Sequence, residues 1–174
     1  MIDPIGERHV INRQVYREAM ARVGAAVHVV TTAGPAGRHG FTASAVTSVT
    51  DDPPTLLVCH NRASEANPAF KANAVLCVNT LVASQERLSP VFAGMTDCDM
   101  TGRFAAAEWS TLATGAPVLK GALVSFDCRI AQVLEVGTHS VLFCEIEAIA
   151  VGDGHEGLIY FGRRYHPVRV KVPG

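Results

Sequence analysis

Leu123–Val136 (LVSFDCRIAQVLEV), then Gly137-Thr138, then His139–Val151 (HSVLFCEIEAIAV) is the stretch that decides the fold. In its first arm Val124, Phe126, Cys128, Ile130, Leu134 and Val136 fall on one face of a strand, with Gln132 as the one interruption. Ser125, Asp127 and Arg129 fall on the other. A period of two residues is the signature of a strand with a buried face. The second arm repeats it, with Leu142, Cys144 and Ile146 opposed by Glu145 and Glu147. Gly137-Thr138 sits between the arms with glycine first, which suits a type II′ connection. The spacing therefore predicts a long antiparallel hairpin.

Working outward, most of the chain reads the same way. Downstream, Leu158–Phe161 is expected as a closing strand. Upstream, strands are expected at Ala26–Thr32, from Gly40 to about Val49, at Thr55–Cys59 and at Val75–Leu81. Ala33–Gly37 and Asp51–Pro54 carry the Gly, Pro and Asp residues that break strands. Three helices are expected. Asn12 caps the first, which sets Tyr16, Ala19, Met20 and Val23 on one face before Gly24 ends it. The second runs from Ser64, as its cap, to about Ala72, and the third from Ser84 to about Ala93. Gly94–Ala116 has a weak pattern and is expected as a long ordered loop with a short helical or strand piece near Phe104–Trp109. Many strands with few helices and turn-rich links give an antiparallel barrel. No Gly-x-Gly-x-x-Gly or Walker loop follows a strand, so a nucleotide would have to bind in another way.

The 174 residues fit one domain, 1–174, with 1–12 and 167–174 as peripheral tails. Apolar residues are 48% and charged residues 18%, enough for one core without a stapling metal or disulfide. A net charge of −1 leaves no basic footprint for nucleic acid. No apolar run is long enough for a membrane helix. The first residues lack the pattern of a secretory signal, and the five cysteines form no Cys-x-x-Cys pair. A cytoplasmic protein with reduced thiols is expected, and no His or Cys spacing reads as a metal site.

The segment with chemical interest is GFTASAVTSVTDDPPTLLVCHNRAS, Gly40–Ser64. Thr42, Ser44, Thr47, Ser48 and Thr50 supply hydroxyls, and the small Ala43, Ser44 and Ala45 let a ligand approach the backbone. A phosphate-bearing ligand needs such groups, yet a strand with Ser and Thr on its wet face explains them equally well. A lone histidine after a tight turn, such as His139, is by itself an ordinary surface residue.

Gly40–Ser64, Cys77-Val78-Asn79, Gly137-Thr138-His139 and the Tyr160-Phe161-x-Arg163-x-Tyr165 tail resemble the flavin-reductase-like family. LCVNTL, RFAAAEW, ALVSFDCRI and GTHSVLFCEIEAI keep the order and spacing of its pyrimidine-degrading branch, from about Val15 to His166. Many relatives carry Gly-Asp-His where this chain has Gly137-Thr138-His139. The resemblance implies an FMN-binding split β-barrel, a Greek-key antiparallel barrel with a few flanking helices, that forms a homodimer. It implies NADH-dependent reduction of FMN, with FAD and NADPH as alternatives. Reduced flavin would pass to a flavin-dependent monooxygenase that opens the pyrimidine ring. By resemblance, Thr42, Ala43, Ser44 and Ala45 line the isoalloxazine and ribityl chain. Backbone groups of Ser48, Val49 and Thr50 meet the flavin's polar edge. Asn61 and Ser64 meet the phosphate, with Arg103. Cys59, His60 and Asn79 are neighbours of the cofactor. His139 places the nicotinamide, and Arg163 and Tyr165 help hold the NADH pocket. The rival readings are a reductase component of an aromatic hydroxylase, a non-catalytic FMN carrier and, more distantly, a cysteine hydrolase pairing Cys59 with His139.

Overall fold

The computed structural model of the chain describes residues 11–170. Of the expected tails, residues 1–10 and 171–174 lie outside that span, whereas Asn12 caps a helix and residues 167–169 belong to a strand. In chain order the elements are α1 (Arg13–Met20), β1 (Ala25–Ala26), β2 (His28–Thr32), β3 (His39–Ala43), β4 (Val46–Asp51), β5 (Pro54–Asn61), α2 (Asn67–Asn73) and β6 (Val75–Thr80). A 3₁₀ turn at Ala83–Gln85 precedes α3 (Leu88–Phe92), α4 (Met100–Ala105), β7 (Trp109–Thr111) and β8 (Pro117–Leu119). The long hairpin, β9 (Val124–Val136) and β10 (His139–Val151), is followed by β11 (Glu156–Phe161) and β12 (Arg164–Arg169).

The main sheet has seven strands in the order β3-β2-β6-β9-β10-β5-β4, and every neighbouring pair is antiparallel. β3 and β4 stand at its opposite edges, yet only Ser44 and Ala45 join them. So short a link reaches only about 10 Å from Ala43 to Val46. The sheet must therefore curl until its edges meet, and the result is a barrel with an unpaired seam between β3 and β4. The expected single strand from Gly40 to Val49 is in fact the two sides of this seam. The β-propensity of Thr and Val is continuous across it, so nothing in the composition marks the break.

Inside the barrel lie Val30, Val58, Phe70, Leu76, Val78, Cys128 and Leu142. A second cluster, with Val27, Val29, Leu81, Leu88, Phe92, Phe104 and Leu158, packs outside β2 and β6 under α3 and α4. β2 and β6 are thus buried on both faces. Asn79 ties these layers together from a fully buried position. Its Nδ2 donates to Val29 O at 3.0 Å and Thr31 Oγ1 at 3.2 Å, and its Oδ1 accepts from Leu119 N and Ser125 Oγ, each at 2.8 Å.

Several expectations are corrected. The hairpin register shifts between Phe143↔Gln132 and Cys144↔Ile130, so Ala131 is bulged out. A bulge inverts the side-chain parity beyond it. Val133 therefore turns to the core, while Leu134 and Val136 face outward. The Gln132 interruption is the trace of that bulge. Ser125 and Asp127 are buried because β8 and the Thr114 loop cover the opposite face of β9. The Ala26–Thr32 strand is split at Val27, with β1 pairing β11 and β2 entering the barrel. Ser64 does not cap α2, which starts at Asn67 with Pro68 in its first turn. The expected Ser84–Ala93 helix is a 3₁₀ turn followed by the short α3. Leu158–Phe161 is not the last strand, since β12 pairs back on β11.

Candidate functional site

The seam opens on a cleft of about 790 Å³. Thr42, Ala43, Ser44 and Ala45 form its floor. The end of β5 contributes Cys59, His60 and Asn61, the following turn contributes Ser64, and the start of β10 contributes His139. Phe92 at the end of α3, Gly94 just after it, Asp99 capping α4 and Arg103 on α4 close the other side. Ala43 is buried while Ser44 and Ala45 are exposed, so a flat ligand can lie on the backbone of the link. Gly40 belongs to the same wall. A Cβ there would stand 2.8 Å from the Phe92 ring, so only glycine lets α3 pack this close to β3.

The polar groups of the cleft divide into committed and free. The Thr42 hydroxyl donates to Ser89 O at 2.6 Å and is spent on holding α3 to the seam. Asn61 Oδ1 accepts from Ala63 N at 2.9 Å, and Ser64 N donates to Asn61 O at 3.1 Å. That tight turn brings the Asn61 and Ser64 side chains to one rim. Asp99 caps α4 by accepting from Gly102 N at 2.8 Å, and this aims Arg103 across the cleft. Arg103 Nε is buried without a hydrogen-bond partner among the described residues.

His60 is the strangest group in the wall. It is only 2% exposed and stacks on Phe41 with centroids 3.8 Å apart and planes 4° apart. Phe70 meets it edge-on at 5.1 Å. Neither ring nitrogen has a hydrogen-bond partner among the described residues. Burial pushes its pKa down to about 4, with the charges of His139 and Lys71 acting in the same direction, so the ring is neutral at pH 7. Cys59 lies half-buried beside it with its thiol pushed up by burial. A nucleophilic cysteine needs the opposite shift, which disfavours the hydrolase reading.

His139 is exposed at the mouth, opposite Asn61 on β5 and Val136 on β9. Its Nδ1 lies 2.9 Å from Thr138 Oγ1. Gly137, at φ 56°, makes the turn as a type II′ connection requires. The tip is clamped from the side. Arg62 N donates to Thr138 O at 2.9 Å, Arg62 Nη1 donates to Gly137 O at 3.2 Å, and Arg62 pairs with Glu135 at 3.2 Å. Glu135 also accepts from Lys71 and from Ser140, and these bonds hold its carboxyl below the ordinary range.

The structure brings together Thr42, Ala43, Ser44, Ala45, Cys59, His60, Asn61, Ser64, Arg103 and His139. Other expected residues lie elsewhere. Ser48, Val49 and Thr50 run along the free edge of β4, where a bulge between Ser48 and Thr50 leaves Val49 unpaired. Asn79 is the buried tie described above, its amide fully used by the framework. Arg163 sits at φ 61° in the β11–β12 turn, beside Glu18 and Arg22. Tyr165 OH bonds Ser89 Oγ at 2.8 Å, so it touches the cleft only through the residue that holds Thr42. Trp109 packs on Phe92 and Phe104 and donates to Phe104 O, as a packing residue should. Sequence reasoning missed Phe41, Phe92, Gly94 and Asp99. Phe41 alone carried a signal, as the large apolar residue inside the small-residue segment. Among the described residues no group of three or more His, Cys, Asp or Glu is placed to hold a metal, and no helix is long and apolar enough to cross a membrane.

The chain is similar to known flavin reductases. The family described as "Flavin reductase like domain" matches residues 20–169. The FMN reductase (NADH) RutF of Ancylobacter novellus is 63% identical over 158 residues, which are 91% of this chain and 86% of that protein. The solved structure of a Haemophilus somnus 129pt protein assigned as a flavin reductase superposes with a TM-score of 0.87 at 48% identity, covering 91% of this chain and all of that one. BorF, the flavin reductase component of a bacterial two-component tryptophan halogenase, gives a TM-score of 0.84 at 26% identity over 92% of this chain and 100% of that one.

Proposed function

The chain belongs to the flavin reductase like domain family, and from that membership we propose that it is an NADH-dependent FMN reductase. The observation that carries the reading is the barrel seam, where Ala43, Ser44 and Ala45 open on a cleft rimmed by Asn61, Ser64, Arg103 and His139. These residues fit FMN. The flat floor suits a planar ring, and the unpartnered Nε of Arg103 is a buried donor in want of an anion.

Bound FMN supplies the acceptor for the hydride that a reduced nicotinamide gives up. That transfer requires no acid or base from the chain. The work of the chain would be to hold flavin and nicotinamide together in the cleft, so proximity and orientation would carry most of the rate gain. Thr42–Ala45 would support the ring system, Asn61, Ser64 and Arg103 would anchor the phosphate, and Cys59 and neutral His60 form an uncharged wall. The backbone of Ser48–Thr50 on the free β4 edge is available to the ring's polar rim. His139, fixed by the clamped hairpin tip, sets where the nicotinamide comes to rest.

The product, reduced FMN, serves a separate flavin-dependent monooxygenase, in this reading the pyrimidine ring-opening enzyme. The working form is a cytoplasmic homodimer. The test is steady-state NADH oxidation with FMN, FAD and riboflavin side by side. The reading expects FMN to be reduced at the lowest concentration and riboflavin to bind worst, since it lacks the phosphate. Equal constants for FMN and riboflavin would remove the phosphate assignment. A carrier that merely holds flavin would oxidise almost no NADH when free FMN is in excess.

A further inference from the structure

A second cleft opens on the far side of Asn61 and His139, between α1 and the hairpin tip. Its volume is about 860 Å³. Arg13, Tyr16 and Arg17 of α1 form one wall, and Arg62, Gly137 and Thr138 form the other. Asn61 and His139 line both clefts, so the two are contiguous across these side chains.

The charge of this second cleft is one-sided. Among the described residues that line it there are three arginines and no carboxylate. Glu135 answers Arg62, but Arg13 and Arg17 have no ion-pair partner among the described residues. Arg17 stands in the last turn of the helix, where a cation suits the backbone dipole, but Arg13 gains nothing from that dipole. Arg13 stands at the N-terminal end, where the backbone dipole disfavours a cation, and no acid occupies that first turn. Arg17 lies one turn later on the same face, a spacing at which like charges repel. The two charges are turned instead toward the cleft, where an anion would satisfy both.

We propose that this cleft receives the pyrophosphate of the dinucleotide hydride donor, bridged by Arg13 and Arg17 with Arg62 beside them. The inference rests on the reductase reading and adds to it the place of the donor's non-reacting half. A dinucleotide entering from this side crosses at His139 and delivers its nicotinamide over the first cleft. The phosphates stay outside, on the arginines. Guanidinium groups suit this task because their forked donors match phosphate oxygens. The donor and FMN then use separate anion sites, Arg13 and Arg17 for one and Arg103 for the other, and do not compete.

The test compares two hydride donors that share the nicotinamide but differ in phosphate: NADH and reduced nicotinamide riboside. The double variant Arg13→Gln/Arg17→Gln alters only solvent-facing side chains of α1. Losing two charge-assisted contacts is expected to raise the KM for NADH about ten- to a hundred-fold. The KM for the riboside, which carries no phosphate, is expected to stay within about two-fold of the parent's. In the parent, added salt should raise the KM for NADH steeply, and in the variant that dependence should flatten. An unchanged KM for NADH would overturn the assignment, and so would an equal rise for both donors. A rise confined to the FMN constant would hand the arginines to the flavin and overturn it too. A parent protein that oxidises neither donor with any flavin would instead sink the reductase reading, a result readily told apart from the others.

Discussion

His60 states most sharply what single residues do here. A neutral imidazole stacked on Phe41 contributes area and shape, while its two unpartnered nitrogens oppose folding. His28 is similar, buried with Nδ1 3.0 Å from Thr80 Oγ1 and pushed down to about 4 by burial. Both folded-state values lie below the unfolded 6.5. Between about pH 6.5 and 4 the unfolded chain takes up protons that the folded chain refuses. Stability is therefore complete above that window and is lost as pH falls through it, by roughly 3 kcal/mol per histidine. His60→Phe keeps the stack and removes the titration, so urea unfolding from pH 7 to pH 4 should show a shallower loss than the parent. An identical loss would mean that His60 is not a source of the acid sensitivity. His139 is the contrasting case, exposed and with its ring bonded to Thr138 of its own turn. His139→Ala should leave FMN affinity nearly unchanged while slowing flavin reduction about five- to thirty-fold, at a cost of about 1–2 kcal/mol. Rapid-mixing flavin bleaching with NADH varied reads this directly, and an unchanged rate at every concentration would remove His139 from the site. The residues alone showed neither role, and only the family resemblance pointed to His139 at the nicotinamide and His60 beside the cofactor. Both residues are single histidines in β-runs, and only their three-dimensional surroundings make one a neutral wedge and the other a rim.

At the scale of elements, the legible features were those with a periodic or steric signature. The hairpin emerged from its alternation and its Gly137 turn, and Asn12 announced α1. What stayed hidden depends on long-range pairing. The Ala131 bulge sends Val133 inward where the pattern pointed to Leu134, and no local rule says that a strand will slip there. The seam is the same kind of case, since Gly40–Val49 reads as one strand and is two barrel edges. Its small residues were visible, and their use depends on the closure. Ala45 tests that use. Its carbonyl accepts from Cys59 N at 3.0 Å, while its side chain is exposed to the cleft. Ala45→Phe should leave the strand bond and the fold intact but fill the floor. Circular dichroism should match the parent, and FMN quenching of fluorescence should be lost. Normal FMN binding by a folded variant would place the cofactor somewhere other than the seam.

At the scale of the whole molecule, the described residues leave apolar side chains exposed on α1 and on the edges of the barrel. α1 has eight residues, and none is buried by the rest of the described chain. Isolated helices shorter than about 12–15 residues are marginal in water, so so short a helix takes its stability from packing. Its Val15, Tyr16 and Met20 are exposed, as are Val136 at the hairpin tip and Ile149 and Val151 at the far end of β10. Val49 stands on the free edge of β4, where unpaired backbone invites a partner. Where such groups cluster, as Val15, Tyr16 and Met20 do on α1, they are candidates for an association surface. A second copy of the chain that covers α1 would satisfy the helix and, through it, fix Arg13 and Arg17 against the hairpin tip. Sedimentation velocity should accordingly show a dimer at micromolar concentration. Val15→Asp/Met20→Asp adds two charges to the apolar side of α1, and should shift the protein to monomer while the barrel stays folded. Because α1 also walls the second cleft, the monomer should bind NADH more weakly and keep its FMN affinity. A parent protein that sediments as a monomer with full reductase activity would show that one chain is sufficient, and α1 would then need another explanation for its exposed apolar face.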